Sequence, residues 1–134
     1  MDRYLIVDDS QSWRSYHIDN LKDIYKSEIF IDEAESARAG YQLVYNNIDS
    51  PYDVIITDLS MEYDFAPQFA GEWLIEQIKL LKQYYKTEII IISGSMQIKN
   101  VAETFGVNYI PKAVVAKDKT IYQKFNSRKS KLDY

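Results

Sequence analysis

The sequence predicts a doubly wound α/β fold, in which helices cover both faces of a parallel sheet. Three observations carry that prediction. Short apolar runs alternate with longer amphipathic stretches along the whole chain. Three of those runs, Leu5-Ile6-Val7, Val54-Ile55-Ile56 and Ile89-Ile90-Ile91-Ile92, are continuous and mostly β-branched, as strands buried on both faces require. Strand and helix signals alternate five times, without an internal repeat, a low-complexity tract or an interdomain linker. The 134 residues suit one domain, expected to run over 1–134 with a fraying polar tail from about 129.

The elements follow in order. The first strand is read over Tyr4–Val7. Ser10 then caps a helix over about Gln11–Lys26, with Trp13, Tyr16, Leu21 and Ile24 near helical spacing. The second strand, Glu28–Ile31, mixes apolar and charged residues as an edge strand would. A second helix over about Ser36–Asn47 ends before the turn signal Asp49-Ser50-Pro51. The third strand is Val54–Thr57, and a helix over Gly71–Tyr85 carries Trp73, Leu74, Ile78 and Leu81 on one stripe. The fourth strand is Glu88–Ile92. A helix over about Gln97–Phe105 stops at Gly106, a suitable C-terminal cap. The fifth strand, Asn108–Ile110, precedes a last helix expected from near Asp118 to Arg128.

Composition excludes several chemistries. There is no cysteine, so disulfides, thiolate metal sites and cysteine nucleophiles are ruled out. His17 is the only histidine, which argues against a multi-histidine metal site or a serine–histidine triad. It is expected to be structural or solvated, away from the strand ends. Four glycines leave little for a phosphate-cradling loop. Sixteen Lys and Arg against twenty Asp and Glu give a net charge of −4, which argues against direct nucleic-acid binding. The later basic residues, Lys117, Lys119, Lys124, Arg128, Lys129 and Lys131, read as a solvated helix face rather than a surface for an acidic partner or nucleic acid. No apolar run is long enough for a signal peptide or a membrane span, so a cytoplasmic location is expected.

In an open parallel sheet, ligands bind beyond the carboxyl ends of the strands. There the sequence places Asp8 and Asp9 after the first strand, Asp58 after the third, Ser93 after the fourth and Lys112 after the fifth. Converging carboxylates either raise a pKa or recruit a cation. With oxygen ligands only, that cation is Mg²⁺, or Mn²⁺ as a substitute. A hydroxyl and an ammonium facing it suit the oxygens of a transferring phosphoryl group. The residues alone therefore point to a Mg²⁺-dependent phosphoryl site with a carboxylate nucleophile or acceptor.

At this point the sequence resembles the receiver domains of two-component response regulators, chemotaxis regulators included. The resemblance rests on Val7-Asp8-Asp9, Val54-Ile55-Ile56-Thr57-Asp58-Leu59-Ser60-Met61, Ile91-Ile92-Ser93-Gly94 and Tyr109-Ile110-Pro111-Lys112, and runs from Tyr4 to about Phe125. It implies a flavodoxin-like sheet of order 2-1-3-4-5. It implies that Asp58 accepts a phosphoryl group from a histidine kinase or histidine phosphotransfer protein. Asp9 would bind Mg²⁺ directly, Asp8 through water, and Asp58 and the backbone carbonyl of Ser60 would share the ion. Lys112 would pair with Asp58 and then with the phosphoryl oxygens, and Ser93 would supply a hydroxyl. Tyr109 would be the aromatic switch, signalling to a downstream protein on the face of the fourth helix, fifth strand and fifth helix. A phosphorylation-dependent homodimer is a further implication, and turnover of a conventional substrate is not one.

Two features depart from the family pattern. The family's proline follows its lysine, whereas here Pro111 precedes Lys112 and Ala113 follows, which leaves open a rearranged trans loop or a cis Lys112–Ala113 bond. The span from Asp58 to Gly71 is 71 − 58 = 13 residues, longer than the roughly 2–6 usual for such loops. The extra stretch, about 61–70, is read either as a lid or docking loop or as a tolerated surface insertion. Three other functions compete. A pseudo-receiver would use the fold for protein contact without phosphorylation. A phosphohydrolase of the haloacid dehalogenase type would need an acid where Ser10 stands, and a flavin-binding flavodoxin would need a phosphate loop that is missing.

Overall fold

A computed structural model describes residues 1–61 and 68–125. Five strands form one parallel sheet: β1 Asp2–Val7, β2 Ile29–Ala34, β3 Val54–Thr57, β4 Glu88–Ser93 and β5 Asn108–Pro111, in the order β2-β1-β3-β4-β5. The helices are α1 Gln11–Tyr25, α2 Ala37–Asn46, α3 Ala70–Lys79, α4 Ile98–Phe105 and α5 Lys112–Lys117, with short 3₁₀ turns at Lys26–Glu28, Lys82–Tyr84 and Lys119–Lys124. This is the flavodoxin-like arrangement the sequence implies. Among the described residues no helix is long and apolar enough to cross a membrane.

The alternation of side chains along each strand divides the core in two. Leu5, Val7, Ile55, Ile89 and Ile91 face α2, α3 and α4, where Val44, Leu74, Ile75, Ile78, Val101 and Ala102 meet them. Tyr4, Ile6, Val54, Ile56, Ile90 and Ile92 face the other way, toward Leu21 of α1, Val115 of α5, Tyr122 and Phe125. The second half is laced with hydroxyls, each with a partner. Tyr4 donates to the Phe125 carbonyl at 2.9 Å and Tyr25 to the Tyr122 carbonyl at 2.9 Å.

The expected caps form. The Ser10 hydroxyl accepts from the Trp13 amide at 3.3 Å, and Gly106 closes α4 in the left-handed region with φ of 66°. Two expected helices are corrected. The helix read over Gly71–Tyr85 ends at Lys79, and a separate 3₁₀ turn follows. The break carries Tyr84 into the core, where its hydroxyl donates to the Val44 carbonyl at 2.7 Å. The last helix begins six residues earlier than expected, at Lys112, and is only one of two short pieces. The chain passes from β5 into α5 without a loop. Residues Lys119–Lys124 wind as 3₁₀ because Tyr122 and Phe125, three apart, both reach the core, and a 3₁₀ turn stacks residues at that spacing. The polar tail and most of the expected insertion, residues 62–67, lie outside the described residues.

Candidate functional site

The site is built at the carboxyl ends of β1, β3 and β5. β1 ends at Val7, so Asp8 and Asp9 follow directly; Asp8 is buried and Asp9 exposed. The Asp8 backbone is fixed on both sides. Its amide donates to the Ala34 carbonyl at 3.1 Å, and its own carbonyl accepts from the Arg14 guanidinium at 2.8 Å. The same guanidinium reaches Glu33 at 2.8 Å, so α1, β1 and β2 are tied together beside the acids. Asp8 Oδ1 accepts from the Ser10 amide at 2.9 Å.

Asp58 follows β3 and is also buried. Its amide donates to the Val7 carbonyl at 2.9 Å, which sets its height against Asp8. Its carbonyl accepts from the Thr57 hydroxyl at 2.8 Å, and its Oδ1 accepts from the Leu59 amide at 2.6 Å. Gly71, early in α3, presses against this backbone. The Gly71 amide donates to the Leu59 carbonyl at 2.9 Å, and a Cβ at Gly71 would lie 2.0 Å from the Asp58 carbonyl oxygen. Only a glycine lets the helix start so close to Asp58.

One ligand atom from each of Asp8, Asp9 and Asp58 falls within 4.8 Å of the others. Lys112 Nζ enters this cluster from the start of α5. It donates to Asp58 Oδ2 at 2.9 Å and lies 3.1 Å from Asp8 Oδ2. The second contact is an ion pair to the buried Asp8 carboxylate. Burial pushes the Asp8 carboxyl above its ordinary range, and the Asp58 charge adds to that; the Ser10 amide and Lys112 act against it. Burial works against the charge on Lys112, but the Asp58 hydrogen bond and the charges of Asp58 and Asp8 outweigh it and hold the ammonium above its ordinary pKa. Three carboxylates thus face one ammonium. Asp8, Asp9 and Asp58 together offer an all-oxygen donor set of the kind a hard divalent cation takes, so the residues fit such an ion.

The remaining expected residues are placed as follows. Ser93 ends β4 and is buried, with its Oγ accepting from the Ser95 amide at 3.1 Å. It does not cap α4, as a serine in this position could have done, because the cap residue is Gln97. Ser60 is exposed two residues beyond Asp58. Tyr109 pairs with Ile91 in β5, the edge strand of the sheet, and is 38% exposed.

Sequence reasoning missed two neighbours of the site. His17 is buried and its Nδ1 lies 2.5 Å from the Tyr122 hydroxyl. Burial first, and then the Lys112 charge, lowers its pKa to about 4. The expectation that it sits remote from the strand ends is therefore corrected. Trp13 lies with its ring centroid 5.1 Å from Lys112 Nζ. Its signal was available: one turn after the Ser10 cap, and four residues before His17, it shares the inner face of α1.

No family model matches the sequence, and no curated protein matches it. Solved structures do. A response regulator receiver domain protein from Clostridium thermocellum is similar at 26% identity and a TM-score of 0.70, over 100% of both chains. The phosphorylated cyanobacterial phytochrome response regulator RcpA is similar at 17% identity and a TM-score of 0.74, over 90% of this chain and 88% of that one. TrrA of Thermotoga maritima, solved in complex with Mg²⁺–BeF, is similar at 21% identity and a TM-score of 0.63, over 99% of this chain and 97% of that one. With its sheet order, its flanking helices and these neighbours, the chain has the fold of the response regulator receiver domains.

Proposed function

We propose that residues 1–134 form a phosphorylatable receiver of a two-component or phosphorelay system, with Asp58 as the acceptor. The observation that carries this reading is the Lys112 ammonium seated on Asp58 beside two further carboxylates at the switch end of the sheet. A carboxylate so buried and paired is poised as a nucleophile, because the charge it must present is already held in place.

One Asp58 oxygen attacks phosphorus, and the P–N bond of a phosphohistidine on the partner breaks with its electron pair left on the imidazole nitrogen. Lys112 exchanges Asp58 Oδ2 for the oxygens of the new acyl phosphate. The Ser93 hydroxyl moves to donate to another of those oxygens, and Tyr109 turns inward, changing the face of α4, β5 and α5 that a downstream protein reads. Asp9, Asp8, Asp58 and the Ser60 carbonyl would hold a Mg²⁺ ion there, and the ion would supply charge neutralisation for the phosphoryl oxygens. The partner provides the histidine; a histidine kinase or histidine phosphotransfer protein fits that role.

The test is incubation with Mg²⁺ and a small phosphodonor, followed by intact-mass measurement. One phosphoryl group adds about 80 Da, and Asp58→Asn should abolish the gain. A wild-type chain that binds no Mg²⁺ and takes no adduct from any donor would return the reading to a pseudo-receiver, which the displaced proline favours. Sustained turnover of phosphate esters would mean a hydrolase instead.

A further inference from the structure

The geometry points to Trp13 as a positioning residue for Lys112 in phosphoryl transfer, an inference that rests on the receiver reading. The Lys112 ammonium has three N–H donors, and among the described residues it lies beside Asp58 Oδ2 at 2.9 Å, Asp8 Oδ2 at 3.1 Å and the Trp13 ring at 5.1 Å. Two of these are carboxylates. The third is a π face, whose attraction for the cation does not depend on what happens to Asp58.

The ring is itself held. Its backbone is fixed by the Ser10 cap. Its faces and edges meet Tyr16 at 5.4 Å and His17 at 5.5 Å. Each of those neighbours is tied to the segment that begins with Lys112: Tyr16 donates to the Val115 carbonyl at 3.2 Å, and His17 pairs with the Tyr122 hydroxyl. Trp13 thus sits in an aromatic cluster of α1 that is tied to the lysine's own helix.

When Asp58 becomes an acyl phosphate, Lys112 must leave Oδ2 and find the new oxygens. A long aliphatic stem with rotatable bonds would explore many positions on the way. The indole confines the ammonium beside the acids throughout, so the lysine re-pairs without a search. The consequence is kinetic: the contact speeds phosphoryl uptake only through Lys112.

The experiment measures the rate of mass gain from a small phosphodonor with Mg²⁺ for wild type, Trp13→Phe and Trp13→Leu, each also in a Lys112→Ala background. We expect Trp13→Leu to slow uptake about three- to fivefold and Trp13→Phe to recover most of it. Neither change should matter once Lys112 is alanine. In a Trp73→Phe background, replacing Trp13 by fluorinated tryptophans leaves its shape almost unchanged, and the rate should fall as fluorines are added. That readout also decides the matter if Trp13→Leu does not fold. A rate indifferent to fluorination, or a Trp13→Leu effect that persists at full size in Lys112→Ala, overturns the inference while leaving the receiver reading intact. A wild-type chain that takes no phosphoryl group defeats both.

Discussion

His17 offers the sharpest test of how the α1 face is built. Its ring is 1% exposed, and its pKa falls from 6.5 to about 4, through burial first and the Lys112 charge second. A histidine whose folded pKa is depressed is protonated in the unfolded chain before it is protonated in the native one. Stability is therefore lost as pH falls through 6.5, and the loss levels off only near 4. Each pH unit inside that window is worth up to about 1.4 kcal/mol, and the whole gap about 3 kcal/mol. His17→Gln removes the titration while keeping a polar partner for the Tyr122 hydroxyl. Urea denaturation of both proteins at pH 4.5, 5.5, 6.5 and 7.5 reads the difference directly. Wild type should lose about 2–3 kcal/mol relative to His17→Gln between pH 7.5 and 4.5. Parallel stability curves across that range would show that the ring protonates freely in the folded state and that the Tyr122 pairing is not what the structure makes it.

Two glycines give contrasting predictions. At Gly71 a Cβ would lie 2.0 Å from the Asp58 carbonyl oxygen and 2.8 Å from Leu59 Cα, so Gly71→Ala should cost about 3 kcal/mol by overpacking and weaken Mg²⁺ binding as well; calorimetry with and without Mg²⁺ checks both. At Gly106 nothing lies within 4 Å of the added Cβ, and the cost is conformational, from φ of 66°. Gly106→Ala should lower stability by about 1 kcal/mol, with Mg²⁺ affinity unchanged.

The buried strands were the most legible part of the sequence, because Val54-Ile55-Ile56 and the isoleucine run of β4 are continuous, β-branched and apolar. Each acid at a strand end could then be located by counting from the last apolar residue. Counting in this way brings Asp8, Asp9, Asp58 and Lys112 to one end of the sheet. The α5 region was less legible for a physical reason. Lys112–Lys117 is too short for a helical period to show, and only Val115 is buried in it. Its start is decided by tertiary pairing of Lys112 with the acids, which no local pattern contains. Tyr84 misled in the opposite way: the stripe through Leu81 continues smoothly in sequence, yet the hydrogen bond to the Val44 carbonyl wins over helix continuation. His17 and Trp13 needed knowledge that Tyr122 and Lys112, about a hundred residues later, close over them.

The direct passage from β5 into α5 has a mechanical consequence. Most strand–helix junctions have a loop that absorbs small movements of either element, acting as slack in the chain. Here Pro111 is the last residue of the strand and Lys112 the first of the helix, with Pro111 held at φ of −61° by its own ring. Along the chain, Tyr109 in β5 stands three residues before Lys112, and the buried Val115 in α5 three residues after it. The lysine paired with Asp58 is thus also the residue that joins the edge strand to α5, so both elements share its backbone position.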